Sequence, residues 1–167
     1  HAELFGIDTA AAEAMPGVLA VLTGNDWRND GLGPMPAWGN PKDVELKNID
    51  GTPIFYTPLW PVAVDRLRRA GEIVAIIVAE TDDAAHEAAE RVGIDCKILP
   101  AVVDPASAVA DGAPLLWHEA PGNLNLLDEK GSRDATNLVF RNAYATVSFE
   151  SWNQRVTGVP MEPRAAL

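Results

Sequence analysis

Three features of the sequence predict an α+β fold in which strand–helix–strand units pack on one shared, mixed sheet. The longest apolar run, Ile73–Ala79, has the length of a buried strand. Apolar residues then recur at helical spacing, at Ala84, Ala85, Ala88, Ala89 and Val92. The same order of elements also occurs earlier, over residues 3–22. Because each unit has one apolar face to bury, we expect the two units to share a sheet.

The first unit is short. We expect strands over Glu3–Ile7 and Val18–Leu22, joined by a helix of about one turn. Asp8 or Thr9 can cap that helix, because their side-chain oxygens accept hydrogen bonds from its first amides. Met15–Gly17 then stops it, since a proline and a glycine both end helices.

The second unit is longer and more clearly marked. Thr81 follows the apolar strand as a predicted N-cap, and Asp82 and Asp83 lie in the first turn, where the helix dipole favours acids. Gly93 is the predicted C-terminal stop of the helix. Ile94–Leu99 is the predicted closing strand.

A loop of residues 24–61 separates the two units. Its glycines and prolines exclude long regular elements. Trp27, Trp38 and Trp60 lie along this loop. We expect them to pack beneath it in a small hydrophobic cluster that is separate from the main core. Docking on a partner surface is the alternative, because exposed aromatic residues often mark an interface.

The last third of the chain is predicted to be a traverse followed by a new unit. Residues 104–131 are rich in turn residues, so we expect a loop. A helix is expected over Asp134–Asn142 with Asp134 as its cap, and alternation predicts a strand over Tyr144–Trp152. We expect a first domain over 1–120, a linker over 121–142 and a second domain beginning at 143–167.

Composition indicates an ordinary soluble protein that does not bind nucleic acid. Hydrophobic residues make up 47% and charged residues 22% of the chain, and the formal net charge is -11. Residues 1–120 hold 19 acids against 8 bases, and residues 121–167 hold 5 of each. An acidic surface repels phosphate backbones. No apolar run approaches the roughly 18–20 residues of a membrane span, so none is expected.

Cys96 is the single cysteine, so no disulfide can form within the chain. This is typical of a reducing compartment, and we expect the protein to be cytoplasmic. Because Cys96 falls in a strand pattern, we expect it to be a small buried residue and not a nucleophile.

No catalytic, cofactor-binding or metal-binding residue can be assigned from the residue chemistry. His1, His86 and His118 are isolated in sequence and show no metal-ligand spacing, and His86 is expected to be exposed. Gly31-Leu32-Gly33 lacks the strand and helix that a phosphate loop requires. Asp65–Arg69 is the only basic cluster. This cluster either forms weak ion pairs on the surface or binds an acidic neighbouring domain or subunit.

The two ends of the sequence suggest a fragment. Met161–Leu167 reads as an element that is just beginning, and His1 enters directly into a strand pattern. We therefore expect a piece of a larger polypeptide.

Several motifs, in order, resemble one protein family. They are Ile7–Thr9 with Met15–Asp26, Ala63–Arg68 with Gly71-Glu72 and Val74-Ala75, Val78–Thr81 with the alanine-rich helix, Leu99–Pro105 with Gly112–Pro114, and Pro160–Ala165. Together they resemble the start of the molybdopterin-binding large subunit of the xanthine dehydrogenase, aldehyde oxidase and carbon monoxide dehydrogenase family. The resemblance spans nearly the whole chain.

The resemblance implies an α/β hammerhead domain up to about residue 120, followed by the start of the molybdenum cofactor-binding domain. It implies a parent enzyme that hydroxylates an aldehyde, a purine or an N-heterocycle, or oxidises carbon monoxide. Its cofactors would be molybdopterin with molybdenum in the parent, and iron–sulfur clusters and FAD on other domains or subunits. The family's cofactor-contacting and catalytic residues lie downstream of Leu167, so none is transferred to this chain.

Two functional hypotheses follow. In the first, the chain is an inactive assembly domain whose partners are the remainder of the large subunit and the iron–sulfur and flavin subunits. In the second, it is a stand-alone α+β binding or regulatory module. Dimerisation, or disorder beyond about residue 130, is a further expectation, because the edge of the strand around Tyr144–Trp152 would be unpaired and such edges associate.

Overall fold

The architecture is α+β, as predicted, and consists of two compact units, residues 1–129 and 130–167. A computed structural model describes residues 1–36 and 45–153. The regular elements, in chain order, are β1 Ala2–Asp8, α1 Ala10–Glu13, β2 Val18–Thr23, α2 Gly24–Asn29, β3 Arg66–Leu67, β4 Ala75–Ala79, α3 Asp82–Ala89, β5 Gly93–Ile98, α4 Pro105–Ala108, a 3-10 turn Pro121–Asn123, and α5 Arg133–Arg141.

The described strands form two sheets, so the prediction of one shared sheet is wrong. The first sheet has the order β3-β1-β5 and the second pairs β2 with β4, with every pairing antiparallel. Each unit therefore gives one strand to each sheet. A parallel crossover needs a connection of about a dozen residues or more. Only residues 9–17 join β1 to β2, which is too short for β1 and β2 to pair in parallel. In the structure β1 pairs with β5 and β2 pairs with β4.

The apolar core lies on one face of the β2–β4 sheet, under helices α1 and α3. Ala12 of α1 and Ala88 of α3 are completely buried there, beside Val21 of β2. Small side chains let helices approach a sheet closely. The partly buried residues around this core are Met15, Val18, Ala75, Ile77 and Val92. Ala88 and Val92 of the predicted stripe thus pack on the core, whereas Ala89, which the stripe also included, is exposed.

The helix of the second unit begins as predicted and ends earlier. The Thr81 hydroxyl accepts a hydrogen bond from the Ala84 amide at 3.2 Å, which confirms the cap. The helix ends at Ala89, and the chain turns before it reaches Gly93. Gly93 opens β5 opposite Asp8, so its prediction as a helix stop is wrong. A Cβ at Gly93 would lie 3.2 Å from the Asp8 Cβ, and this close pairing explains the glycine.

Helix α1 begins and ends at the residues that the sequence predicted, with Asp8 and Thr9 at its start and Gly17 after its end. Thr9 is the N-cap residue, but the side chain that accepts from the helix amide Ala10 is Asp8, at 3.1 Å. The Thr9 hydroxyl instead donates to the Glu13 carboxylate at 2.8 Å. Gly17 has a φ of 80°, a conformation that favours glycine, and so confirms the stop before β2.

Helix α2 is an element that the predicted loop over residues 24–61 did not include. The Asp26 carboxylate accepts hydrogen bonds from the Thr23 amide and hydroxyl, at 2.7 and 2.6 Å. Both bonds hold the pKa of Asp26 below its usual value. A threonine followed three residues later by an acid is a capping pattern that could have marked this helix.

The described part of the unit that begins at residue 130 differs from its prediction in two ways. Helix α5 is capped by Ser132, whose hydroxyl accepts from the Ala135 amide at 3.3 Å, and Asp134 lies in the first turn instead. No strand forms over Tyr144–Trp152. Alternation produces a strand only where another strand pairs with it, and the described residues provide none.

The described residues contain no helix that is both long and apolar enough to cross a membrane. Trp38 and the Met161–Leu167 motif lie outside the residues that the structure describes.

Candidate functional site

The basic cluster forms an internal junction and not only a set of surface ion pairs. The Arg68 side chain is only 13% exposed, and its guanidinium carbon lies 3.7 Å from the ring centroid of Trp117. Its Nε donates to the Leu116 carbonyl at 3.1 Å, and its Nη1 lies 3.3 Å from an Asp65 carboxylate oxygen. A guanidinium held over an indole face is attracted by the ring quadrupole. Arg68 therefore joins the β3 segment to the loop around residue 116.

Glu72 fixes the backbone that carries Arg68. Its carboxylate accepts the Arg68 amide at 2.6 Å and the Arg69 amide at 3.4 Å. Gly71, with a φ of 74°, makes the turn that brings this carboxylate back. The Gly71-Glu72 motif of the sequence thus has a local structural role.

Trp117 is the aromatic centre of this junction. Phe55 lies beside it, with ring centroids 6.1 Å apart and planes tilted by 50°. Trp27 and Trp60 are half-buried, and the Trp27 ring nitrogen donates to the Gly33 carbonyl at 3.0 Å. Sequence reasoning passed over Trp117, although the apolar run 115–117 within a proline-rich loop could have marked it.

Two asparagines join the segment 123–127 to the segment 48–57. The Leu127 amide donates to the Asn48 side-chain oxygen at 2.8 Å. The Asn125 side-chain nitrogen donates to the Phe55 carbonyl at 3.2 Å and the Thr57 hydroxyl at 2.6 Å. Residues almost 80 positions apart are thereby held together by polar side chains.

Asn123 organises the loop between α4 and the 3-10 turn. Its side-chain nitrogen donates to the carbonyls of Ala108 and Pro114, at 2.8 and 3.1 Å, and its oxygen accepts from the Leu116 amide at 3.0 Å. Its φ of 55° is left-handed, a conformation that asparagine tolerates better than most residues.

A cavity of about 340 Å³ lies between the two joined segments. We call it the loop cavity. Its lining consists of Asn48, Ile49, Asp50, Thr52, Pro53, Phe55, Glu119, Pro121, Leu124 and Leu127. The lining is mainly apolar, with two carboxylates.

The three histidines are not brought together. The His1 ring nitrogen Nδ1 lies 3.0 Å from the Pro100 carbonyl oxygen, and the His118 Nε2 lies 3.2 Å from an Arg66 guanidinium nitrogen. His86 is exposed on α3, as predicted. No three His, Cys, Asp or Glu side chains in residues 1–36 and 45–153 are grouped to hold a metal ion.

Cys96 lies in the middle of β5, opposite Leu4 of β1. It is half-buried, so the expectation of a buried cysteine is corrected. The β1–β5 sheet covers it less than the helices cover the core of the other sheet.

The two site features of the described residues are the Arg68–Trp117 contact and the loop cavity. Every fully buried side chain in the described residues is apolar, and the one buried side-chain polar atom among them without a hydrogen-bond partner is the His1 ring nitrogen Nε2.

Residues 1–100 match the sequence model of the family described as "Aldehyde oxidase and xanthine dehydrogenase, a/b hammerhead domain". Among curated proteins, the chain is 33% identical to the nicotine 6-hydroxylase large subunit of Paenarthrobacter nicotinovorans, over 100% of this chain and 19% of that protein. It is also 33% identical to the carbon monoxide dehydrogenase large chain of Afipia carboxidovorans, over 84% of this chain and 15% of that protein.

Among solved structures, the chain is similar to the aldehyde oxidoreductase of Desulfovibrio desulfuricans. The TM-score is 0.61 at 27% identity, covering 86% of this chain and 15% of that one. The chain thus spans about a fifth or less of the length of the relatives that it matches.

Proposed function

The chain belongs to the aldehyde oxidase and xanthine dehydrogenase family, and on this premise we propose that it is the hammerhead portion of the large subunit of a molybdenum hydroxylase. One observation carries the proposal: the family match over residues 1–100 covers all five strands of the two interlocked sheets. The hydrophobic core lies between the β2–β4 sheet and helices α1 and α3, all of which fall within the matched residues.

We infer an assembly role for the chain itself. The Arg68–Trp117 junction and the asparagine contacts hold long loops in place by joining segments that are distant in sequence. The molybdenum cofactor would be bound by the rest of the large subunit and would supply the oxidation chemistry. Iron–sulfur and flavin centres would lie on other domains or subunits.

The exposed apolar side chains of residues 138–152 support a partner surface on the unit that begins at residue 130. Those more than half exposed are Leu138, Val139, Phe140, Tyr144, Val147, Phe149 and Trp152. We propose that the remainder of the large subunit covers them. The domain limits 1–120, 121–142 and 143–167 and a cytoplasmic location are parts of the same proposal. The predicted homodimer loses its reason, because residues 144–152 form no strand whose edge could pair.

The activity test uses the purified 167-residue chain. We expect no molybdenum by elemental analysis and no dye-linked oxidation of aldehydes, purines, N-heterocycles or carbon monoxide. Bound molybdenum or turnover by this chain alone would overturn the proposal of an inactive assembly domain.

A second test measures the native polypeptide. Antibodies raised against the chain should detect a protein about five times its 17.9 kDa mass, in keeping with the 19% coverage of a relative. A native band near 17.9 kDa, with no molybdenum enzyme co-purifying, would instead support a stand-alone binding or regulatory module.

A further inference from the structure

The loop cavity has walls that are fixed before any ligand arrives. The Ile49 amide donates to the Leu127 carbonyl at 2.9 Å, and the Phe55 amide donates to the Asn125 carbonyl at 2.9 Å. Together with the Asn48 and Asn125 side-chain bonds, these contacts tie both long walls to each other. A preformed cavity loses less conformational entropy on binding than a flexible loop does.

Size and lining resemble those of a small-molecule site. A volume of about 340 Å³ lies at the lower end of the roughly 300–1,000 Å³ of typical ligand cavities. Six of the ten lining residues are apolar. Ile49, Leu124 and Leu127 are 54%, 42% and 51% exposed, so part of this apolar wall faces solvent and is available to a ligand.

The charge in the cavity is of one sign. Asp50 and Glu119 both line it, and none of its ten lining residues is basic. The Thr52 amide and hydroxyl donate to an Asp50 carboxylate oxygen, at 2.9 and 2.6 Å, which orients that carboxylate. The same bonds hold the pKa of Asp50 below its usual value. Residues 1–129 carry 21 acids against 8 bases, so the surrounding field also favours cations.

We propose that the loop cavity binds a small organic cation, an ammonium group carried on an apolar body. The apolar body packs on Phe55, Leu124 and Leu127, and the ammonium group lies near the Asp50 and Glu119 carboxylates. An anion of the same size is repelled by both carboxylates. This site is separate from the cofactor chemistry assigned to the rest of the large subunit, so its failure would leave the proposed assembly role intact.

The first experiment compares three ligands of similar shape on the full 167-residue chain. Benzylammonium, benzyl alcohol and benzoate are titrated at neutral pH while the amide resonances are followed by NMR. We expect benzylammonium to bind about fivefold more tightly than benzyl alcohol, with shifts at Ile49, Thr52 and Leu127. Benzoate is expected to cause no shift there. Equal affinity for all three ligands, or shifts confined to other residues, would overturn the proposal.

The second experiment tests the carboxylates separately. Asp50→Asn and Glu119→Gln should each weaken benzylammonium binding about twofold and leave benzyl alcohol binding unchanged, because the two carboxylates share the roughly fivefold preference. Asp111→Asn is the control, because Asp111 is an exposed acid that does not line the cavity. Glu119→Gln guards against loss of the Asp50–Thr52 turn, since Glu119 has no part in that turn. If neither cavity variant changes the affinity more than Asp111→Asn does, the cavity does not bind cations.

Discussion

The interlocked strand–helix core and the loop region around Trp117 are ordered by different forces. In the core, completely buried alanines of α1 and α3 pack on the β2–β4 sheet. In the loop region, polar side chains such as Arg68, Asn123 and Asn125 bond to backbone groups far away in sequence. The core depends on apolar volume, whereas the loops depend on donors and acceptors that must each find one partner.

The largest expected effect comes from placing a charge in the core. Ala88→Asp introduces a carboxylate at a completely buried position with no partner, and should lower the free energy of unfolding by about 4 kcal/mol. Ala89→Asp is the matched control, because Ala89 is an exposed neighbour on the same helix. Urea unfolding followed by circular dichroism measures both. Equal stability of the two variants would contradict the proposed core.

The next effect tests the contact between α2 and the chain beneath it. A Cβ at Gly24 would fall on the Ala63 carbonyl group and lie 3.0 Å from the Val64 Cα. Gly24→Ala should therefore lower the free energy of unfolding by about 2 kcal/mol, because backbone must move to relieve the overlap. Gly33→Ala meets no atom within 4 Å and serves as the control. Thermal unfolding of both variants gives the comparison.

A smaller effect is expected in the loop region. Asn123→Ala leaves the Ala108 and Pro114 carbonyls without their side-chain donor, and should cost about 1–2 kcal/mol. Faster amide hydrogen exchange at Leu116 should accompany it, because the Leu116 amide loses its acceptor.

Asn123→Gly separates the two contributions of this residue. It removes the same hydrogen bonds but tolerates the left-handed φ of 55°. We therefore expect the glycine variant to be more stable than the alanine variant. The reverse order would show that backbone conformation has no part in the role of Asn123.

The smallest effect concerns His86 on the exposed side of α3. A hydrogen bond between its ring and the Asp82 carbonyl oxygen raises the pKa of His86 above the ordinary value, and the Asp82 charge adds to this. Because the folded pKa is the higher one, the stabilisation is full below the unfolded pKa and is lost as the pH rises through the folded pKa.

An NMR titration of the His86 ring measures this shift. Asp82→Asn should lower the pKa of His86 but not remove the whole elevation, because the backbone carbonyl remains. Asp83→Asn should lower it less, since the Asp83 charge is the weaker contribution. A larger change in the Asp83 variant would contradict this assignment.

Much of the core was predictable because its signals are local. The Thr81 cap, the alanine stripe of α3 and the stop at Gly17 each depend on residues within a few positions of one another. The strand over Tyr144–Trp152 failed for the opposite reason. Its alternation is local, but a strand exists only where a partner pairs with it.

The loop region was not predictable, because its contacts join distant positions. Nothing near Asn125 in sequence indicates that its side chain bonds to Phe55 and Thr57. Likewise, Trp117 gains its role only where Arg68 and Phe55 come beside it. The basic cluster had two interpretations in sequence. The structure shows an ion pair between Arg68 and Asp65 and adds a contact with Trp117 that neither interpretation included.

The sequence by itself determined the two strand–helix–strand units, their order and their resemblance to one enzyme family, because hydrophobic period and capping are properties of neighbouring residues. Only the tertiary structure decided which strands pair. The connection of residues 9–17 excludes a parallel crossover between β1 and β2, but only folding places β1 beside β5 and β2 beside β4. It also decided which polar side chains close the loops, since a hydrogen bond forms only where folding has already brought donor and acceptor together.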